Sequence, residues 1–92
     1  MHKESLYSFI LYVLLQEGKS NILFRLEALF LGKSYAIRHF FRRQFEGCDL
    51  PSFWNLKERF EKEHPQFSVP ISEEDIVKDD NGLMTGRLKQ LG

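Results

Sequence analysis

Residues 35–46 read Y-A-I-R-H-F-F-R-R-Q-F-E, followed by Gly47. Ile37, Phe41 and Phe45 recur at i, i+4 and i+8, with Phe40 widening the row, while Tyr35, Arg38, His39, Arg42 and Arg43 fall on the other side. That is the 3.6-residue period of an amphipathic helix, and Gly47 suits its stop. Upstream, Leu6–Leu15 is apolar except for Ser8, so a helix over Lys3–Glu17 is apolar on nearly every side and must lie centrally or at an interface. Gly18 and Ser20 read as stop and cap, and Asn21–Leu31 reads as a second helix with Ile22, Leu26, Leu29 and Phe30 on one stripe. Gly32 and Ser34 repeat the punctuation. A fourth helix, Ser52–Glu63, sets Phe53, Leu56 and Phe60 against charged neighbours, with Pro51 in its first turn and Pro65 beyond its end.

The remainder is read two ways. Ser72 with Asp75 fits a capping box for a single turn. Alternatively Ile76–Lys78 and Leu83–Thr85 flank Asp79-Asp80-Asn81-Gly82, and Asn-Gly is the strongest short hairpin signal. The hairpin is favoured. The expected architecture is mainly α: four helices around a Phe-rich core with a short C-terminal β-hairpin. It forms a single domain over 1–92, a helical core to 65 and an acidic, partly irregular segment over 66–92.

Charge follows the same division. The chain balances 13 Lys+Arg against 13 Asp+Glu. Residues 1–48 carry a net +3 and residues 49–92 a net −3, with no acid from Ala28 to Phe45. Zero net charge argues against a protein that coats nucleic acid indiscriminately. The one cysteine, Cys48, excludes an intramolecular disulfide. The ten-residue run Leu6–Leu15 is about half a membrane span, and Glu4 spoils a signal peptide's basic region. A cytoplasmic protein is expected, with no membrane association.

The stretch Phe24–Arg43 has the spacing of a helix-turn-helix. Ala28 would let two helices cross closely, Gly32 would sit in the turn, and the next helix would offer a basic face. The departures are Lys33, where an apolar residue is preferred after the glycine, and Ile37, one place early. Lys33, Tyr35, Arg38, His39, Arg42 and Arg43 are the candidate nucleic-acid contacts, and transcriptional regulation through DNA is the role they suggest. Two expectations compete with this. The hairpin, as a wing, would carry Glu73, Glu74, Asp75, Asp79 and Asp80, which suit a phosphate backbone poorly, and the fourth helix separates it from the basic one. The basic face could also pair internally with Glu73, Glu74 or Asp75.

Other motifs fail on spacing. Gly-Lys-Ser at 18–20 and 32–34 lacks the earlier glycine of a phosphate loop, since Val13 and Glu27 stand there. A calcium loop would need acid at Val77 and Leu88. Cys48 with His39 or His64 is the nucleophile–base pair worth naming, and Asp49 beside it would raise the thiol pKa. His2, His39, His64 and Cys48 lack zinc spacing. No enzyme, cofactor, metal site or small-molecule substrate is expected. The alternative function is a protein-binding adaptor or inhibitor, or a homodimer. Its motive is apolar surface in excess of what so small a domain buries. Some of Tyr7, Phe9, Tyr12, Phe24 and Leu31 would be exposed, and Tyr7, Ile10, Leu11 and Leu14 would contribute to the core or a seam.

Overall fold

The computed structural model describes residues 2–18 and 34–89, with side chains over 5–18 and 37–89. Among the described residues three helices pack together: α1 (His2–Gln16), α2 (Ser34–Phe45) and α3 (Leu50–Glu63). A single 3-10 turn (Glu73–Asp75) leads into an antiparallel hairpin of β1 (Ile76–Lys78) and β2 (Met84–Leu88). The mainly helical class with a hairpin agrees with the sequence. The expected helix at Asn21–Leu31 lies outside the described residues, as do Ala28 and Gly32 of the helix-turn-helix reading.

Helix α1 is central, as its all-round apolarity requires. Leu6, Phe9, Ile10, Tyr12, Val13 and Leu14 are buried, and Gly18 ends the helix region at φ +71°. Phe9 is the hub: its ring stacks on Phe45 at 5.6 Å and meets Phe53 at 5.9 Å and Phe60 at 5.5 Å. From α2, Ile37, Phe41 and Phe45 enter the same core, and Phe40 is partly buried against it. Such ring pairs add to burial when set edge-on or offset. Of the residues expected to be exposed, Phe9 and Tyr12 are buried and Tyr7 is half-buried, while Phe24 and Leu31 fall outside the described residues.

The start of α3 is Leu50, two residues before the expected Ser52. Asp49 is the N-cap: its Oδ2 accepts from the Ser52 N–H at 2.9 Å, with Pro51 in the first turn. These contacts hold the Asp49 carboxyl below its usual range, the Ser52 side chain contributing most. At the far end the His64 N–H donates to the Phe60 carbonyl at 2.9 Å. Tyr12 Oη donates to Glu63 and its ring meets Phe60 at 5.4 Å, tying α1 to the end of α3. Beyond α3, the extended segment is fastened back by its Val69 N–H, which donates to Glu61 Oε2 at 2.8 Å, and Val69 and Ile71 are buried.

The capping box and the hairpin are both present, with the second strand at Met84–Leu88 where Leu83–Thr85 was expected. Ser72 and Asp75 form the capping box of the 3-10 turn, and the hairpin follows directly. The loop differs from an Asn-Gly centred turn. The Gly82 N–H donates to the Asp79 carbonyl at 3.1 Å, so Asp80 and Asn81 are the central residues. Asn81 has negative φ and only Gly82, at φ +79°, is left-handed. This is an ordinary turn closed by a glycine bulge rather than a mirror-image turn, which would need positive φ at both central residues. The Asp79 side chain stabilises it by accepting from the Asn81 and Leu83 N–H groups at 2.8 and 3.0 Å.

The hairpin's position is set by β2. Ile76 pairs with Leu88 and Lys78 with Met84, so Val77 alone faces Thr85, Gly86 and Arg87. The excess on β2 is a bulge, with Gly86 at φ +82°. A Cβ there would stand 2.7 Å from Arg42 Cα and 2.8 Å from Arg42 O, so β2 rests directly on the backbone of α2. Two backbone bonds fix its entry: the Gly47 N–H donates to the Met84 carbonyl at 2.7 Å, and the Met84 N–H to the Cys48 carbonyl at 2.9 Å. Met84 and Ile76 are thereby buried in the common core.

Candidate nucleic-acid interface

Because Ile37, Phe41 and Phe45 turn inward, the rest of α2 is set by the 100° step between successive residues. Arg38 and Arg42 flank the buried row, while His39 and Arg43 project from the opposite side. All four are exposed. Lys33 lies outside the described residues, and Tyr35 is in α2 without a described side chain.

Strand β2 lies along the Arg38 and Arg42 flank and closes a cleft of about 340 Å³ lined by Arg38, His39, Arg42, Gly86, Arg87 and Leu88. The hairpin thus returns to the basic helix although α3 separates them in sequence. It brings Arg87, which the sequence reading did not include. The available signal was Gly86: a glycine inside a strand pattern marks a close backbone approach, and the residue after it is then placed beside the partner element. A neighbouring cleft of about 470 Å³ shares Arg42 and Arg87 and is bordered by Glu46 and Asp79.

Among the described residues the basic face makes no ion pair with Glu73, Glu74 or Asp75. Glu73 approaches Lys78 at 4.0 Å, and the Asp75 carboxylate accepts from the Ser72 N–H and hydroxyl at 2.9 and 3.0 Å. The Asp75 carboxyl is held below its usual range by those bonds, the Ser72 backbone N–H first. The acid that reaches the basic face is Glu46, one turn along, whose Oε2 accepts from Arg42 Nε at 3.0 Å. Both side chains are more than half exposed, where such a pair contributes little. Among the described residues no carboxylate lies within ion-pairing distance of Arg38, Arg43 or Arg87. In the wing, the Asp75 and Asp79 carboxylates accept from backbone N–H groups of their own turns.

Comparison with family models, curated proteins and solved structures finds no match to this chain.

The remaining candidates are placed as follows. Ile10 and Leu14 lie within the core of the single chain, and Tyr7 and Leu11 are half-buried against it. Leu15 is the large apolar side chain left exposed among the described residues, at 59%. Cys48 and His64 sit just beyond opposite ends of α3, whose 14 residues span roughly 21 Å, so they do not form a dyad. His39 is six residues before Phe45, about 9 Å back along α2 from the turn that holds Cys48. The Cys48 thiol donates to the Asp49 carbonyl at 3.4 Å, and burial, followed by the Asp49 charge, pushes its pKa up. A thiol held protonated is a poor nucleophile. No group of three or more His, Cys, Asp or Glu stands close enough to hold a metal among the described residues. No helix there is long and apolar enough to cross a membrane.

Proposed function

We propose that this chain is a small regulatory protein of the cytoplasm that binds nucleic acid through α2 and β2. The observation that carries the reading is the convergence of Arg38, His39, Arg42 and Arg87 on one cleft, with Arg43 on the adjacent ridge. Arginine suits phosphate because its planar fork donates two parallel hydrogen bonds and its charge persists at any relevant pH. The fold supplies what a helix surface alone lacks: two walls, held at fixed separation by the Gly86 contact and the Gly47–Met84 bond. Zero net charge is compatible with this, since no acid of 73–80 lies within ion-pairing distance of Arg38 or Arg42, and Asp79 borders the adjoining cleft and not this one. Uptake would then be local to the cleft instead of spread over the whole surface.

The competing reading, an adaptor, inhibitor or homodimer using apolar helix surfaces, draws among the described residues on Leu15 and the half-buried Tyr7 and Leu11. Light scattering giving 10.9 kDa at micromolar concentration removes the homodimer. The test of the main reading is a mobility-shift titration of labelled duplex and single-stranded oligonucleotides at about 50 mM salt, where phosphate-driven binding is strong. A shift at micromolar protein supports it, and no shift of any strand refutes it.

A further inference from the structure

Resting on the nucleic-acid reading above, we infer that the ligand of this cleft is an unpaired strand and not a duplex. The inference comes from what β2 does to α2. A major groove is about 12 Å wide and admits one helix, whose own diameter with side chains is about 10–12 Å. Here α2 does not stand alone. Gly86 approaches the backbone of Arg42 so closely that no Cβ fits between them, so a strand is fused along one flank of the helix. Helix and strand together are too broad for the groove on that side. The flank against which the strand lies carries Arg38 and Arg42, two of the candidate contacts. They border the cleft between the elements.

A single strand meets the opposite situation. The cleft, at about 340 Å³, has arginine at both walls, Arg38 and Arg42 on α2 and Arg87 on β2. Between them lie Gly86, which has no side chain, and the half-buried Leu88. A volume at the lower limit of ligand pockets holds a group of nucleotide size. Leu88 offers a base an apolar contact, and guanidinium planes stack on base faces as well as bonding phosphates. Glu46 and Asp79 border the adjoining cleft that shares Arg42 and Arg87. They repel phosphates from that side, so the strand's backbone is directed along Arg38 and His39.

The test is competitive fluorescence anisotropy with oligo-dT, oligo-U and a mixed-sequence duplex of equal length at about 50 mM salt, on the wild-type chain and on Arg87→Ala and Arg43→Ala. Both altered side chains are exposed, and far-UV circular dichroism confirms that each variant is folded. The single strands should bind at least tenfold tighter than the duplex. Arg87→Ala should weaken single-strand binding about tenfold, the size of one lost stacking contact. Arg43→Ala, on the outer ridge, should weaken it less. Preference for oligo-U over oligo-dT would identify RNA, and equal binding would mean that backbone and stacking suffice; both uphold the unpaired strand. Duplex binding as tight as single-strand binding, or a larger loss from Arg43→Ala than from Arg87→Ala, overturns the inference and leaves the nucleic-acid reading standing. Absence of binding by all three overturns both.

Discussion

Replacing Gly86 with alanine tests the contact on which the cleft depends, and Gly82→Ala supplies its control. The two glycines share nearly the same backbone, φ +82° and +79°, so both substitutions incur the same left-handed strain. That strain is about 1–2 kcal/mol for a residue with a Cβ. They differ in surroundings. A Cβ at Gly82 meets nothing within 4 Å, whereas one at Gly86 stands 2.7 Å from Arg42 Cα and 2.8 Å from Arg42 O. Ordinary carbon contacts lie near 3.5–4.0 Å, so β2 must retreat by about 1 Å. The obstacle is helix backbone, which cannot swing aside. Forced displacement of this kind costs about 1–3 kcal/mol. The expected losses are therefore about 1–2 kcal/mol for Gly82→Ala and about 2–5 for Gly86→Ala. Stability for a chain of this length is about 5–14 kcal/mol, so Gly82→Ala remains folded, while the upper loss for Gly86→Ala equals the lower stability figure. Urea denaturation followed by fluorescence of Trp54, the chain's single tryptophan, measures the difference. On heating, each kcal/mol lowers the midpoint by about 4–8 °C. Equal losses from the two variants would refute the reasoning: β2 would not rest on α2, and Arg87 would not face Arg38 and Arg42.

Three further outcomes follow from the same packing and capping. Phe41 is fully buried, with its ring 4.8 Å from Phe45 and 6.0 Å from Phe53, so Phe41→Ala should cost about 3–5 kcal/mol in the same denaturation assay; a cost below about 1 would mean α2 faces the other way. The Tyr12 hydroxyl is pushed above the usual tyrosine pKa, chiefly by donating to Glu63 and then by desolvation. A raised acid contributes stability in full below its unfolded value and loses it as pH climbs through the folded one, so wild-type stability should fall more steeply than that of Tyr12→Phe above about pH 10, and parallel curves would contradict the bond. Asp49 is lowered, so its contribution is present above about pH 4 and lost as pH falls further; Asp49→Ala should melt below wild type at pH 7, with the gap closing in acid, and a gap independent of pH would exclude the charged cap.

The helices were legible because their signals are local. The Ile37, Phe41 and Phe45 row, the stops at Gly18 and Gly47 and the near-uniform apolarity of α1 each lie within one element, and the structure follows them to within a residue or two. The start of α3 lies two residues before the expected Ser52 because Asp49 caps it, and Asp followed by Pro at the first or second helical position is a capping pattern. The choice between capping box and hairpin was not a choice, since the box ends where β1 begins. Long-range placement was illegible. The Tyr12–Glu63 bond spans 51 residues, and nothing near Gly86 in sequence points to Arg42. The candidate site was half visible for the same reason: Arg38, His39, Arg42 and Arg43 share a helix, whereas Arg87 reaches them only through tertiary packing.

The most direct measurement of the central claim is the salt dependence of single-strand binding by wild type and by the double variant Arg38→Ala/Arg42→Ala. Each phosphate contact contributes about 0.7 to the slope of log K against log salt for a single strand. If both arginines hold phosphates, the double variant should bind more weakly with a slope shallower by about 1.4, while its urea stability stays within about 0.5 kcal/mol of wild type, since the Arg42–Glu46 pair is exposed. An unchanged slope with unchanged affinity would contradict the account and leave the basic flank of α2 as solvated surface.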